Sequence, residues 1–263
     1  MPQVTSKDGT PIAYDRQGAG PAVILVGGGL VDPVTGRPGR WENAPLAAAL
    51  AERCTVYNYD RRGRGDSGDT LPYAVDRELE DLRALLDEAG GSAHLYGVSS
   101  GGALALEAAA AGLPVDRLAV YEVPYFVADE ALQRWRDYVE RLTAVLAEGR
   151  RGEAVELFMR VAGAEDDIEQ ARSSPMWPGL EAVAHTLAYD AACLGDGRPP
   201  TGRLAAVTQP TLVATGGGQE FFEQAADAIA ASLPHAQRQT LEGQAHLVDP
   251  TSLAPVLARF FGG

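Results

Sequence analysis

At 263 residues, 46% of them hydrophobic, the chain is long enough for one large α/β domain with a proper buried core. Its formal net charge of −14 excludes a nucleic-acid surface, because phosphate binding needs clustered Lys and Arg to release counterions, and it disfavours polyanionic substrates. The 2 cysteines, Cys54 and Cys193, lie far apart without His or Cys partners at ligand spacing, which reads as buried thiols of a reduced compartment and no metal site. The polar N-terminal stretch has no apolar h-region, and no apolar run is long enough to span a bilayer. The expectation is a cytoplasmic protein with no membrane contact.

Residues 12–15 read as a short edge strand after a turn at Lys7-Asp8-Gly9-Thr10. Val23-Ile24-Leu25-Val26 is the continuous aliphatic run of a strand buried on both faces, and it stops at Gly27-Gly28-Gly29. Three glycines there leave backbone N–H groups open at the strand's carboxyl end, where open α/β sheets hold ligands. A second oxyanion donor and a merely flexible loop both fit. Residues 41–53 carry the stripe of a helix, and Thr55-Val56-Tyr57-Asn58-Tyr59 is the next strand. The charge-dense Asp60-Arg61-Arg62-Gly63-Arg64-Gly65-Asp66-Ser67 lacks the Gly-Lys-Ser/Thr ending of a phosphate loop and is read as a structural ion-pair loop. Leu79, Leu82, Leu85 and Leu86 mark one face of a helix over residues 75–89.

Residues 93–98 then give a strand and residues 102–111 a helix, with Gly97, Ser99 and Gly101 filling the G-x-S-x-G pattern between them. A serine at a strained strand-to-helix corner needs neighbours with almost no side chain, which the glycines supply. The corner lifts the Ser99 hydroxyl over the sheet's end and leaves the Ser100 N–H at a helix N-terminus, able to meet an oxyanion. Strand 118–121 follows and closes with Glu122-Val123-Pro124. This alternation means a mostly parallel twisted sheet flanked by helices, an α/β fold. It stops over residues 125–208, where helical patterns at 129–148, 153–161, 166–173 and 180–192 suggest a lid inserted in a core made of residues 1–124 and 209–263. A strand at 210–214, Gly216-Gly217-Gly218, a helix over 221–232, a strand near 238–241, the loop bearing His246 and a helix over 253–261 complete the chain.

A serine hydroxyl needs a base. Of the 4 histidines, His94 begins the strand that ends at Ser99, about 16 Å away along the sheet. His235 sits in a Leu-Pro-His turn and His185 in the helical insertion, whereas His246 follows the last strand and can reach the sheet's carboxyl edge. His246 is therefore the candidate base.

Taken together, the glycine loop, the Asp60–Ser67 stretch, the Ser99 corner, the helical insertion and the late His246 resemble the α/β-hydrolase superfamily in order and over nearly the whole chain. That resemblance implies Gly29 as the second oxyanion donor beside Ser100, although Gly27 stands where many members have histidine. It also implies an aspartate three positions after Gly216, and Gln219 is found there instead. Three carboxylates could replace it. Glu122 ends the strand after the one carrying Ser99, and some members, including certain haloalkane dehalogenases, place their acid after that strand. Glu220 lies one residue from the usual place and Asp249 three beyond His246; the absence of any acid is the remaining alternative.

The reading is a serine hydrolase in which Ser99 attacks a carbonyl, His246 shuttles the proton and Glu122 orients the imidazole. By the same resemblance, a serine at the corner argues against epoxide hydrolysis and dehalogenation, which use aspartate there, and for ester, thioester, lactone or carbon–carbon bond hydrolysis of a small, mostly apolar molecule. No metal or organic cofactor is called for. A lyase, acyl transferase or cyclase using the same groups, or a decayed ligand-binding pocket, are the rival readings, and monomer or homo-oligomer is left open.

Overall fold

The computed structural model of the chain describes residues 1–29 and 39–262. Among them eight strands form one sheet: β1 (Gln3–Thr5), β2 (Pro11–Gln17), β3 (Ala22–Val26), β4 (Thr55–Tyr59), β5 (Ala93–Val98), β6 (Val115–Tyr121), β7 (Thr211–Gly217) and β8 (Ala236–Gln244), in the spatial order β1-β2-β4-β3-β5-β6-β7-β8. β1 and β2 pair antiparallel, as do β2 and β4, and every later pairing is parallel. The strand expected at the edge is thus one place in. The true edge, β1, is three residues long, too short to show a period of two, and is fixed by Val4 pairing with Ile12.

The aliphatic run of β3 divides its side chains between two cores. Val23 and Leu25 pack with α1 (Ala44–Leu50) and α11 (Pro250–Gly262) on one face; Ile24 and Val26 pack with α2 (Val75–Glu88), α3 (Ser100–Ala110) and α10 (Glu220–Ser232) on the other. Burial on both faces is what makes the run continuous rather than alternating. The helix expected over residues 41–53 is shorter, a 3-10 turn at Arg40–Asn43 followed by α1, whose first turn holds Pro45. Proline has no N–H to give and is tolerated only where the helix needs none.

Between β6 and β7 every regular element is helical: α4 (Asp129–Ala147), α5 (Arg151–Val161), α6 (Ile168–Arg172), α7 (Trp177–Val183), α8 (Leu187–Cys193) and α9 (Thr201–Leu204). The single helix expected over residues 180–192 is broken at Ala184–Thr186, where the Thr186 hydroxyl donates to the Val183 carbonyl at 2.7 Å, a local bond that competes with the helical ladder. Trp135, Tyr138 and Leu142 of α4 and Leu187 of α8 join the core that covers α3.

What seats α3 against the sheet is missing side chains. A Cβ on Gly101 would lie 2.3 Å from the Gly27 carbonyl oxygen and 2.4 Å from that of Val26; one on Gly97 would lie 2.5 Å from the Gly101 carbonyl oxygen. Backbone cannot yield there as a flexible side chain could. We expect Gly101→Ala to lose about 3 kcal/mol or more in urea unfolding, as for overpacked cores. Gly202→Ala, where an added Cβ meets nothing within 4 Å, should stay within about 1 kcal/mol of wild type.

Candidate active site

β5 ends at Val98, and Ser99 turns the chain at φ 54° and ψ −129°, a conformation that L-residues adopt only when the surroundings impose it. The imposition is visible: the Ser99 N–H still donates to the Tyr121 carbonyl of β6 at 3.0 Å, while its own carbonyl already accepts from Gly102 at 2.9 Å to start α3. Ser99, Ser100, Gly29 and His246 all border one cavity of about 230 Å³ at the carboxyl edge of the sheet, roofed by α4, α5 and α8. Phe126, Trp135, Tyr138, Phe158, Phe221 and Phe222 give it a largely aromatic wall.

Glu122 follows β6 directly, and with Ser99 it is the other non-glycine residue of positive φ among the described residues, at 45°. Its backbone N–H bonds the Ala214 carbonyl of β7 at 3.1 Å, one carboxylate oxygen accepts from the Gly216 N–H at 2.9 Å, and the other lies 2.8 Å from Nδ1 of His246. The carboxylate is 3% exposed and the imidazole 35%. A carboxylate at Nδ1 favours the tautomer protonated there, which leaves Nε2 free to accept a proton. Two further contacts hold the ring. Phe222 of α10 stacks on it, centroids 4.8 Å apart and planes within 7°, and the Tyr121 hydroxyl donates to the Ala245 carbonyl at 2.7 Å, tying down the residue before it.

The other candidates fall elsewhere. Gln219 borders the cavity, but the adjacent Glu220 bonds its own helix neighbour Gln224 on the surface, and Asp249 accepts from Thr251 at the start of α11, exposed to solvent. Of the remaining histidines, His94 stacks on Phe261 at 4.8 Å, His185 lies 3.3 Å from Asp69, and His235 is exposed.

A model of the alpha/beta hydrolase family matches residues 22–256. The chain belongs to the alpha/beta hydrolase family. A crystal structure of an alpha/beta hydrolase from Sphaerobacter thermophilus is 51% identical and superposes with a TM-score of 0.87 over 99% of this chain and 100% of that one. An enol-lactonase from Burkholderia xenovorans, 20% identical, superposes with a TM-score of 0.72 over 100% of both chains, a likeness of fold. A Caulobacter segnis protein provisionally named carbamate hydrolase RutD is 38% identical over 98 residues, 35% of this chain and 34% of that one, so this alpha/beta hydrolase spans about a third of the length of that curated relative. Among the described residues no helix is long and apolar enough to cross a membrane.

In this member of the alpha/beta hydrolase family the loop after β4 makes the ion pairs its composition suggested. Arg62 pairs with Asp81 at 2.6 Å and Asp8 at 3.0 Å, Arg61 with Glu78 at 2.6 Å and Asp190 at 2.8 Å, and Arg64 with Asp190 at 2.7 Å. Burial alone would raise the Glu78 carboxyl, but the adjoining Arg61 outweighs it and holds the group below the ordinary glutamate range. Asp190 and Glu42 are site groups that sequence reasoning missed, since neither stands near the serine or histidine in the chain. Glu42 accepts the Gly28 N–H, and burial pushes its carboxyl up from the ordinary 4.5 to about 7 against the pull of His246 and Arg64. A raised carboxyl favours folding while protonated. Its contribution is present below the unfolded value and is lost as pH rises to about 7, because the unfolded chain ionises first. We expect unfolding free energy to fall across pH 4.5 to 7 more steeply in wild type than in Glu42→Gln. Urea titrations at a series of pH values read this, and parallel curves would refute it.

Proposed function

We propose that this chain is a serine hydrolase of ester, thioester, lactone or similar carbonyl bonds in a small, mostly apolar molecule. The observation that carries the reading is the 2.8 Å contact of Glu122 with His246 on the wall of the cavity that Ser99 also borders. In this mechanism Ser99 Oγ attacks the carbonyl carbon as His246 Nε2 takes its proton. The N–H groups of Ser100 and Gly29 meet the developing oxyanion, and His246 returns the proton to the leaving oxygen or sulfur. Water then repeats the sequence on the acyl-serine. Glu122 supports the imidazolium that forms in each half, and each oxyanion donor would contribute about 3 kcal/mol. The helices between β6 and β7 act as a lid, and their aromatic side chains supply an apolar acyl or leaving-group site. The acid is then supplied after β6, and Gln219 contributes a neutral amide to the wall.

The test is hydrolysis of short-chain p-nitrophenyl esters by wild type, Ser99→Ala, Glu122→Gln and Glu220→Gln, each first shown to be folded. Wild type should turn over, Ser99→Ala and Glu122→Gln should lose roughly 10⁴-fold in kcat, and Glu220→Gln should stay within about threefold. A loss confined to Glu220→Gln would return the acid to the turn after β7. Wild type as slow as Ser99→Ala on every ester, with no labelling by a fluorophosphonate, would refute the serine mechanism.

A further inference from the structure

Asp190 is the one carboxylate among the described residues that borders the cavity, and it comes from α8 rather than from the sheet. Its oxygens are unequally occupied. Oδ1 accepts from the Ser100 hydroxyl at 2.7 Å and from Arg61 at 2.8 Å, while Oδ2 accepts from Arg64 at 2.7 Å. A carboxylate offers about four acceptor positions, so one remains, on Oδ2. That oxygen faces the glycine loop: a Cβ built on Gly29 would lie 3.6 Å from it.

The donors of Arg61 are already spent. Arg61 directs Nε and Nη2 to Glu78, its Nη2 also to Cys193, and its Nη1 to Gly27, Ser100 and Asp190. It has no N–H left for an anionic substrate. The Ser100 hydroxyl is likewise engaged with Asp190. Beside the two backbone donors that would hold the carbonyl oxygen, the wall therefore offers a charged hydrogen-bond acceptor at Asp190. A buried acceptor left dry by a substrate that cannot donate costs binding, whereas a second carboxylate beside it costs more.

We propose that Asp190 selects the acyl part of the substrate, Oδ2 accepting an O–H or N–H carried on the atom next to the scissile carbonyl and its charge rejecting a carboxylate there. The substrates are then α-hydroxy esters and their N–H counterparts, with the apolar remainder against the aromatic wall. This rests on the serine hydrolase reading above.

Four methyl esters sharing one phenyl group test it: mandelate, α-methoxyphenylacetate, phenylacetate and the half-ester of phenylmalonate, followed by pH-stat. The methoxy compound keeps the electron withdrawal of the hydroxyl but not its proton. In wild type, kcat/KM should favour mandelate over the methoxy ester by about 10- to 100-fold. The phenylmalonate half-ester should fall at least about tenfold below phenylacetate. Both preferences should shrink to within about threefold in Asp190→Asn. Mandelate and methoxy esters within threefold of each other in wild type overturn the proposal even if the variant does not fold, and leave the hydrolase reading standing. If neither these esters nor the p-nitrophenyl esters are turned over and no fluorophosphonate labels the protein, that reading fails by itself. Quenching of tryptophan fluorescence by mandelamide, phenylacetamide and phenylmalonate then decides: preference for mandelamide with exclusion of phenylmalonate sustains the role of Asp190, and equal affinities end it.

Discussion

A guanidinium that is 2% exposed must find partners inside the protein for all its N–H groups, and Arg61 finds them in four separate stretches of chain. Glu78 belongs to α2, the Gly27 carbonyl to the loop after β3, Ser100 to the corner after β5, and Asp190 and Cys193 to α8. Such a group adds little net stability, since desolvation offsets most of the attraction. What it contributes is a single arrangement: the glycine loop, the serine corner and the helical insertion cannot shift relative to one another without stranding a buried charge. Those same three pieces form one side of the cavity.

Backbone strain is concentrated at the same place. Ser99 and Glu122 hold positive φ at the ends of adjacent strands, each at a cost of roughly 1–3 kcal/mol, and both are held there by ladder bonds that continue one residue past the strand. The glycines at positions 97, 101 and 102 allow α3 close enough for the first; the Gly216 N–H, reaching back to the Glu122 carboxylate, fastens the second.

The parallel part of the sheet was legible because both-face burial leaves continuous aliphatic runs, and the serine corner because its glycines are enforced by contacts of under 3 Å. Glu122 could be singled out from its place at the end of a strand. Its positive φ could not, because glutamate has no preference for that region and the strain comes from neighbouring strands. β1 was missed for want of length, and the break in the helix at Ala184–Thr186 because a threonine back-bond leaves the hydrophobic period intact. Asp190 and Glu42 were illegible for a different reason. What makes them part of the site is contact with Ser100 and Arg64, or with Gly28, across long stretches of chain, and no local pattern records that.

Tyr121 joins the whole assembly in one residue. Its carbonyl accepts from Ser99, the next residue is Glu122, and its hydroxyl holds the carbonyl that precedes His246. Errors of position are therefore shared. A slide or tilt of β6 would carry the serine corner, the carboxylate and the histidine loop in the same direction, because each is bonded to the same residue. Correlation of this kind refers the serine corner, the carboxylate and the histidine loop to one strand, so that their mutual placement depends on β6 before it depends on any helix.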